Sequence, residues 1–151
     1  MEGTPPSGTV TFMLTDIEGS TRRWQDDPDG MDLALAAHDA TLLDVIRAQR
    51  GYVFKHTGDG MFAAFEVASD AAAAARAAQK RLDLPVRIGL HSGAAAPRGA
   101  DYYGTTVNHA ARLTDAGHAG QILVSEAAAS LLEGERLVDL GSHQLKDVNR
   151  L

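Results

Sequence analysis

Apolar and polar positions alternate in blocks along this chain. Each block has the length of one strand or one helix. Thr9 to Thr15 (TVTFMLT) is apolar and β-branched and then meets a turn signal, the pattern of a buried strand. From Asp32 to Gln49 the apolar residues Leu33, Ala36, Ala37, Leu42, Leu43 and Ile46 recur at helical spacing, and Gly51 is expected to end that helix. Tyr52 to Lys55 and Met61 to Glu66 flank Thr57-Gly58-Asp59-Gly60, which predicts a hairpin with an Asp-Gly turn. Ser69-Asp70 reads as the cap of an alanine-rich helix running to about Leu82. Pro85 opens a strand from Val86 to His91, and Ser92 to Tyr103 reads as a loop. Gly104 to Asp115 reads as a helix, Gln121 to Val124 as a strand, and Ser125 as the cap of a short helix stopped by Gly134. A final strand pair is expected at Arg136 to Leu140 and Gln144 to Val148. The order β-α-ββ-α-β followed by α-β-α-ββ implies an α+β fold on a ferredoxin-like βαββαβ core with additional C-terminal elements.

Composition narrows the chemistry. With 151 residues the chain has the length of one domain, and with no cysteine it can hold neither a disulfide nor a thiolate metal site. A net charge of -6 argues against nucleic acid as a partner, and no apolar run reaches the length of a membrane span. Residues 1–8 read as a flexible lead-in without the apolar core of a signal peptide, so a cytoplasmic chain is expected.

Two aspartates carry the strongest chemical signal. Asp16 follows an apolar strand, and Asp59 lies between two glycines in the hairpin turn. Brought together, they offer hard oxygen donors to a divalent cation. Ile17, Glu18, Gly19, Ser20 and Thr21 follow Asp16 and supply backbone N–H groups near a helix start, suited to a triphosphate. Arg87 interrupts the apolar run Val86-Arg87-Ile88 and needs an anionic partner in the protein or in a ligand. Asn108 and Arg112, four apart on a helix, share a face left open by Ala110 and Ala111. Lys55, read alone, is an edge-strand lysine, and Lys146 alone carries no signal. The six histidines show neither HxxxH nor HxH spacing, and capping or partly buried polar roles are expected for them.

Taken in order, TFMLTDIEGST, FKHTGDG, VRIGLHSG, DYYGTTVNHAAR, GQILVS and LKDV resemble the catalytic domain of class III nucleotidyl cyclases, the adenylyl and guanylyl cyclases. The likeness covers about Thr9 to Val148, within a catalytic domain drawn at 9–151, and the short segment between HSG and DYYG is similar to a short-arm bacterial subgroup. Tyr103 stands where many members have tryptophan. The resemblance implies conversion of ATP to 3′,5′-cyclic AMP and pyrophosphate with two divalent cations, Mg2+ or Mn2+. Asp16 and Asp59, with Ile17, would hold the metal. Lys55 and Asp101 would read adenine. Asn108 would orient the ribose, Arg112 would stabilise the transition state, and Arg87 and Lys146 would contact phosphates. It also implies a homodimer whose two sites each draw residues from both chains, with room for regulatory domains outside this chain.

Other readings compete. A Lys/Asp pair suits adenine, whereas guanine reverses the donor and acceptor pattern. A non-catalytic nucleotide-binding cyclase-like module is a second possibility. Asp16-Ile17-Glu18-Gly19-Ser20 also resembles the nucleophile loop of haloacid-dehalogenase phosphatases, but Glu18 stands where that loop needs a second aspartate.

Overall fold

The computed structural model of the chain describes residues 4–132 and 134. Ten elements follow one another: β1 (Gly8–Ile17), α1 (Ser20–Asp26), α2 (Pro28–Ala48), β2 (Tyr52–His56), β3 (Gly60–Phe65), α3 (Ala68–Arg81), β4 (Val86–Ala95), α4 (Thr105–Ala116), β5 (Ile122–Val124) and α5 (Glu126–Ala129). The sheet order is β2-β3-β1-β4-β5. The first four strands pair antiparallel and β5 joins β4 in parallel. This is the expected α+β fold, a ferredoxin-like sheet extended by one parallel strand. The strand pair expected at 136–148 lies outside the described residues.

Strand alternation sorts side chains onto two faces. Met13, Met61, Ala63, Phe65, Val86, Ile88 and Leu90 meet α2 and α3, and the alanines Ala71, Ala74, Ala75 and Ala78 are wholly buried there. Their small side chains let α3 lie close to the sheet. On the other face Val10, Phe12, Leu14 and Ala64 pack with Tyr102, Val107 and Ala110 under α4. Phe12, Phe54 and Tyr102 meet edge to face, with centroids 4.8 to 5.7 Å apart. The Tyr102 hydroxyl donates to the Pro6 carbonyl, and burial, with Tyr52 nearby, pushes its pKa up to about 12.

β4 presents Gly89 and Gly93 to α4. A Cβ on Gly89 would stand 2.3 Å from Thr114 Oγ1, and one on Gly93 would stand 2.9 Å from the Thr106 methyl. The two glycines therefore set how closely α4 can approach the sheet.

Several boundaries differ from the sequence reading. A separate short helix, α1, precedes the long one, which starts at Pro28 behind an Asp27 cap that accepts from Gly30 N. That helix ends through Arg50 at φ 63°, not through a left-handed Gly51. Gly51 is needed for space instead, because a Cβ there would lie 2.5 Å from Ile46 and 2.6 Å from Phe65. Ser69-Asp70 does not cap α3. The helix begins at Ala68 without a side-chain cap, and Asp70 pairs with Arg50 at 2.6 Å. β4 continues to Ala95, so the segment read as a loop from Ser92 starts as strand. Ser125 does cap its helix, accepting from Ala128 N at 3.1 Å.

Candidate active site

The site residues gather in two groups on the α4 face. The first is fixed by strand register. Asp16 lies opposite Gly60 on β3 and opposite Arg87 on β4. Side chains directly opposite across a sheet share a face. Arg87 therefore reaches Asp16 with both arms of its guanidinium, Nε to Oδ1 at 2.7 Å and Nη2 to Oδ2 at 3.1 Å. This meets the expectation that Arg87 requires an anionic partner, and the partner is the protein's own aspartate.

Asp59, in the turn before β3, joins this group. Its carbonyl accepts from Ile17 N at 3.1 Å, and its carboxylate accepts from Ser20 Oγ at 2.8 Å. Burial raises the Asp16 pKa. The hydrogen bond and charge of Arg87 oppose that rise, and the charges of Asp59 and Asp115 add to it. The bonded Asp16 also holds Arg87 more firmly protonated than usual, with burial opposing. Asp115, three residues beyond Arg112 on α4, carries no signal in the sequence, since only the docking of α4 against β4 brings it into the field of Asp16.

The segment after Asp16 is narrower in its possibilities than the sequence suggested. Ile17 N donates to Asp59 O, and Glu18 N donates to Pro85 O at 2.9 Å. Those two amides are engaged within the chain, a correction to the idea that all five residues present N–H groups to phosphate. Gly19, left-handed at φ 71°, turns the chain into α1, so the amides of Gly19, Ser20 and Thr21 stand at the start of that helix beside Asp59.

The second group depends on an irregularity. Val53 pairs with Ala63 but Lys55 pairs with Phe62, so a β-bulge at Phe54 breaks the alternation of β2. Without it, Lys55 would share the face of Val53. With it, Lys55 lies over the Phe62 ring, its Nζ 5.9 Å from the centroid and 3.8 Å from Asp101 Oδ2. Asp101 closes a tight turn with Arg98, and its Oδ1 accepts from Tyr102 N at 2.7 Å. One carboxylate oxygen is thus held by backbone while the other faces the lysine.

Asn108 and Arg112 lie on α4, Asn108 exposed and Arg112 half-buried. Between them, His109 stacks on His91 of β4 with centroids 4.2 Å apart. His91 Nδ1 lies 2.7 Å from Ser125 Oγ, and burial, with His109 beside it, lowers its pKa to about 4. Lys146 lies outside the described residues.

The donor set fits a hard cation. Two carboxylates stand at neighbouring strand ends, close enough that the charge of Asp59 raises the Asp16 pKa, and the Asp59 carboxylate accepts from the Ser20 hydroxyl. Among the described residues no group of three histidine, aspartate or glutamate side chains forms a closed cage, so any cation here would complete its shell with other oxygens.

Comparison with known proteins shows the family. Residues 71–149 match the model of the adenylate and guanylate cyclase catalytic domain. The chain belongs to that family. Over 97% of its length it is 43% identical to an uncharacterized protein of Mycobacterium tuberculosis, and it spans about half of that relative, 54%. It is 27% identical, over 95% of its length, to an adenylate cyclase of Neurospora crassa, of which it covers 8%. Among solved structures, a Trypanosoma brucei adenylate cyclase in its monomeric state superposes with a TM-score of 0.90 at 28% identity, covering 98% of this chain and 88% of that one. The guanylate cyclase domain of RhGC from Catenaria anguillulae, in complex with GTP, shares the fold at a TM-score of 0.85 and 22% identity, with 95% and 93% covered. Among the described residues no helix is long and apolar enough to cross a membrane.

Proposed function

We propose that this cyclase domain is an adenylate cyclase, converting ATP to 3′,5′-cyclic AMP and pyrophosphate at sites shared between two copies of the chain. The observation that carries the choice of ATP is the Lys55–Asp101 pair, 3.8 Å apart on one face. Adenine presents an acceptor at N1 and a donor at N6, which a lysine donor beside an aspartate acceptor matches. Guanine presents these in the reverse order, an acceptor at O6 and a donor at N1, so a guanine seated as the adenine is, with position 1 at Lys55 and position 6 at Asp101, would leave both unsatisfied.

Asp16 and Asp59, with the Ile17 backbone, would hold divalent cations, Mg2+ or Mn2+, two in number. When bound, these supply charge stabilisation at the α-phosphate and acidify the ribose 3′-hydroxyl. The chain's own residues do the rest. Arg87 binds phosphate oxygens with its planar fork. The first turn of α1 at Gly19, Ser20 and Thr21 faces the remaining phosphate charge. Asn108 orients the ribose, and Arg112 donates to charge that develops during ring closure. Lys146 contacts the polyphosphate.

The two groups have different places in the sheet, which supports a dimer. Lys55 stands on the edge strand and Asp16 on a central strand two positions away, about 10 Å across the sheet. Lys55 pairs with Asp101 within its own chain, not with Asp59, its near neighbour in sequence. A complete site therefore takes Asp16, Asp59 and Arg87 from one chain and Lys55, Asp101, Asn108, Arg112 and Lys146 from its partner, giving two equivalent sites per homodimer. This soluble, cytoplasmic reading assigns no role to nucleic acid or membrane.

The test is product identification after incubation with ATP or GTP and Mg2+ or Mn2+, followed by subunit mixing. Asp59→Ala and Arg112→Ala homodimers should each be inactive. Mixed dimers concentrate both lesions in one site and leave the other intact. With equal mixing and free exchange, activity should recover to about a quarter of the parent. Mixed dimers that form, as shown with differently tagged chains, and stay silent would place the site within one chain.

A further inference from the structure

The Asp16–Arg87 pair uses the same two groups that the proposed reaction needs for other purposes. Both arms of Arg87 lie on Asp16, covering both carboxylate oxygens, and the two side chains are 26% and 23% exposed. The pair is built into the sheet because the two residues are register partners. Asp59 is treated differently, its carboxylate receiving the Ser20 hydroxyl and, among the described residues, no guanidinium. Of the two carboxylates, one is already neutralised by a fixed cation and the other is not.

We propose that Arg87 serves as a stand-in cation on Asp16 in the nucleotide-free chain, so that a divalent metal enters this corner together with the phosphates rather than ahead of them. This deepens the cyclase reading and rests on Asp16 being a metal donor there. Phosphate is the one incoming group that can accept the same two parallel N–H bonds that Asp16 accepts now. When a metal–nucleotide arrives, Arg87 moves to phosphate and Asp16 turns to the metal. The groups have two charge-paired arrangements, and neither leaves a half-buried charge without a counter-charge. A metal ion arriving alone must displace Arg87 from its bonded partner and leave it beside a second cation, with only the weaker attraction of Glu18 and Asp115 to hold it. A guanidinium that only stood near the site would repel the ion through space, and the gain on its removal would not depend on Asp16.

The probe is Mn2+ alone, with unbound Mn2+ measured by electron paramagnetic resonance and no nucleotide present. Arg87→Met removes the stand-in while keeping an unbranched apolar stem. It is expected to bind Mn2+ about tenfold or more tightly than the parent, because two acidic groups then face the ion without a competing guanidinium. Nucleotide affinity should fall in the same variant. Unchanged or weaker Mn2+ binding by folded Arg87→Met overturns the proposal while leaving the cyclase reading in place. The double variant Arg87→Met/Asp16→Asn should lose the gain. If it keeps the gain, Asp16 is not the donor, and the metal assignment of the cyclase reading fails with it. In the parent chain, the Arg87 Nε–H resonance offers a measurement that needs no variant. It should persist in millimolar Mg2+ and shift only when Mg2+ and a non-cyclisable ATP analogue are added together. A full shift with Mg2+ alone overturns the proposal.

Discussion

The Asp16 corner and the Lys55 corner lie on one face of one sheet, yet different physics holds them in place. Asp16 and Arg87 stand on central strands, are about three-quarters buried, and meet through bonds of 2.7 and 3.1 Å fixed by antiparallel register. Lys55 stands on the edge strand and reaches Asp101 at 3.8 Å only because a bulge turns it to that face, and its side chain is 43% exposed. A corner set by register resists rearrangement, because slipping a strand by one residue would move its whole apolar set to the other face. A corner set by a bulge and a loop tip can change its side chains with little effect on the core. The expectation is a conserved chemistry of phosphate and metal at the first, and an adjustable choice of base at the second.

Asp59→Ala should widen this contrast most. Cyclisation should fall by on the order of 10^3-fold while the fold persists, because among the described residues the Asp59 carboxylate supports the Ser20 hydroxyl alone. The measurement is cyclic nucleotide formation in Mn2+ beside a circular dichroism spectrum. Activity within a few-fold of the parent would remove Asp59 from the metal site.

β4 carries both Arg87 and the buried His91, so acid should strike the central corner first. The His91 pKa is lowered from 6.5 to about 4 in the folded chain. The unfolded chain therefore binds the additional proton as pH falls from 6.5 toward 4, and folded-state stability is lost across that window, by up to about 3 kcal/mol. Between pH 7 and pH 4.5 the denaturant midpoint of the parent should fall further than that of His91→Phe. Parallel curves would assign the acid sensitivity elsewhere.

Gly89→Ala tests whether the approach of α4 matters to the site. The added Cβ would meet Thr114 at 2.3 Å from its hydroxyl and 3.1 Å from its backbone, so α4 must shift. A loss of about 1–3 kcal/mol in stability is expected, with a drop in kcat as Asn108 and Arg112 move with the helix. Chemical denaturation and kinetics on the same preparation check it, and unchanged kcat would detach the helix position from the chemistry.

The Lys55 corner should respond in selectivity rather than in stability. Lys55→Glu with Asp101→Cys should move the ratio of kcat/KM for ATP over GTP toward GTP by roughly tenfold, corresponding to about 1–2 kcal/mol of hydrogen-bond mismatch. Thermal midpoints should barely change, since a half-exposed ion pair at 3.8 Å contributes little. A ratio that does not move would mean that these two residues do not read the base.

Residue type and spacing alone carried the order of the elements from β1 to α5 apart from the separate α1, the need of Arg87 for an anion, and the Ser125 cap. Each of these depends on neighbours within a few positions or on the solvation of one side chain, and such information is local. Ala110, by contrast, expected to leave the face of Asn108 and Arg112 open, is buried in the core. The ordered motifs carried the family. Local pattern misassigned Gly51 and Ser69-Asp70, because the one is fixed by contact with Phe65 and the other by an ion pair with Arg50. Nothing in the sequence marks the bulge at Phe54 or the partnership of Asp16 with Arg87, 71 residues apart. The same holds for the nearness of Asp115 to Asp16. Those are consequences of register and of how closely α4 approaches β4. Both are decided by how strands and helices bury their surfaces against one another across the whole sheet.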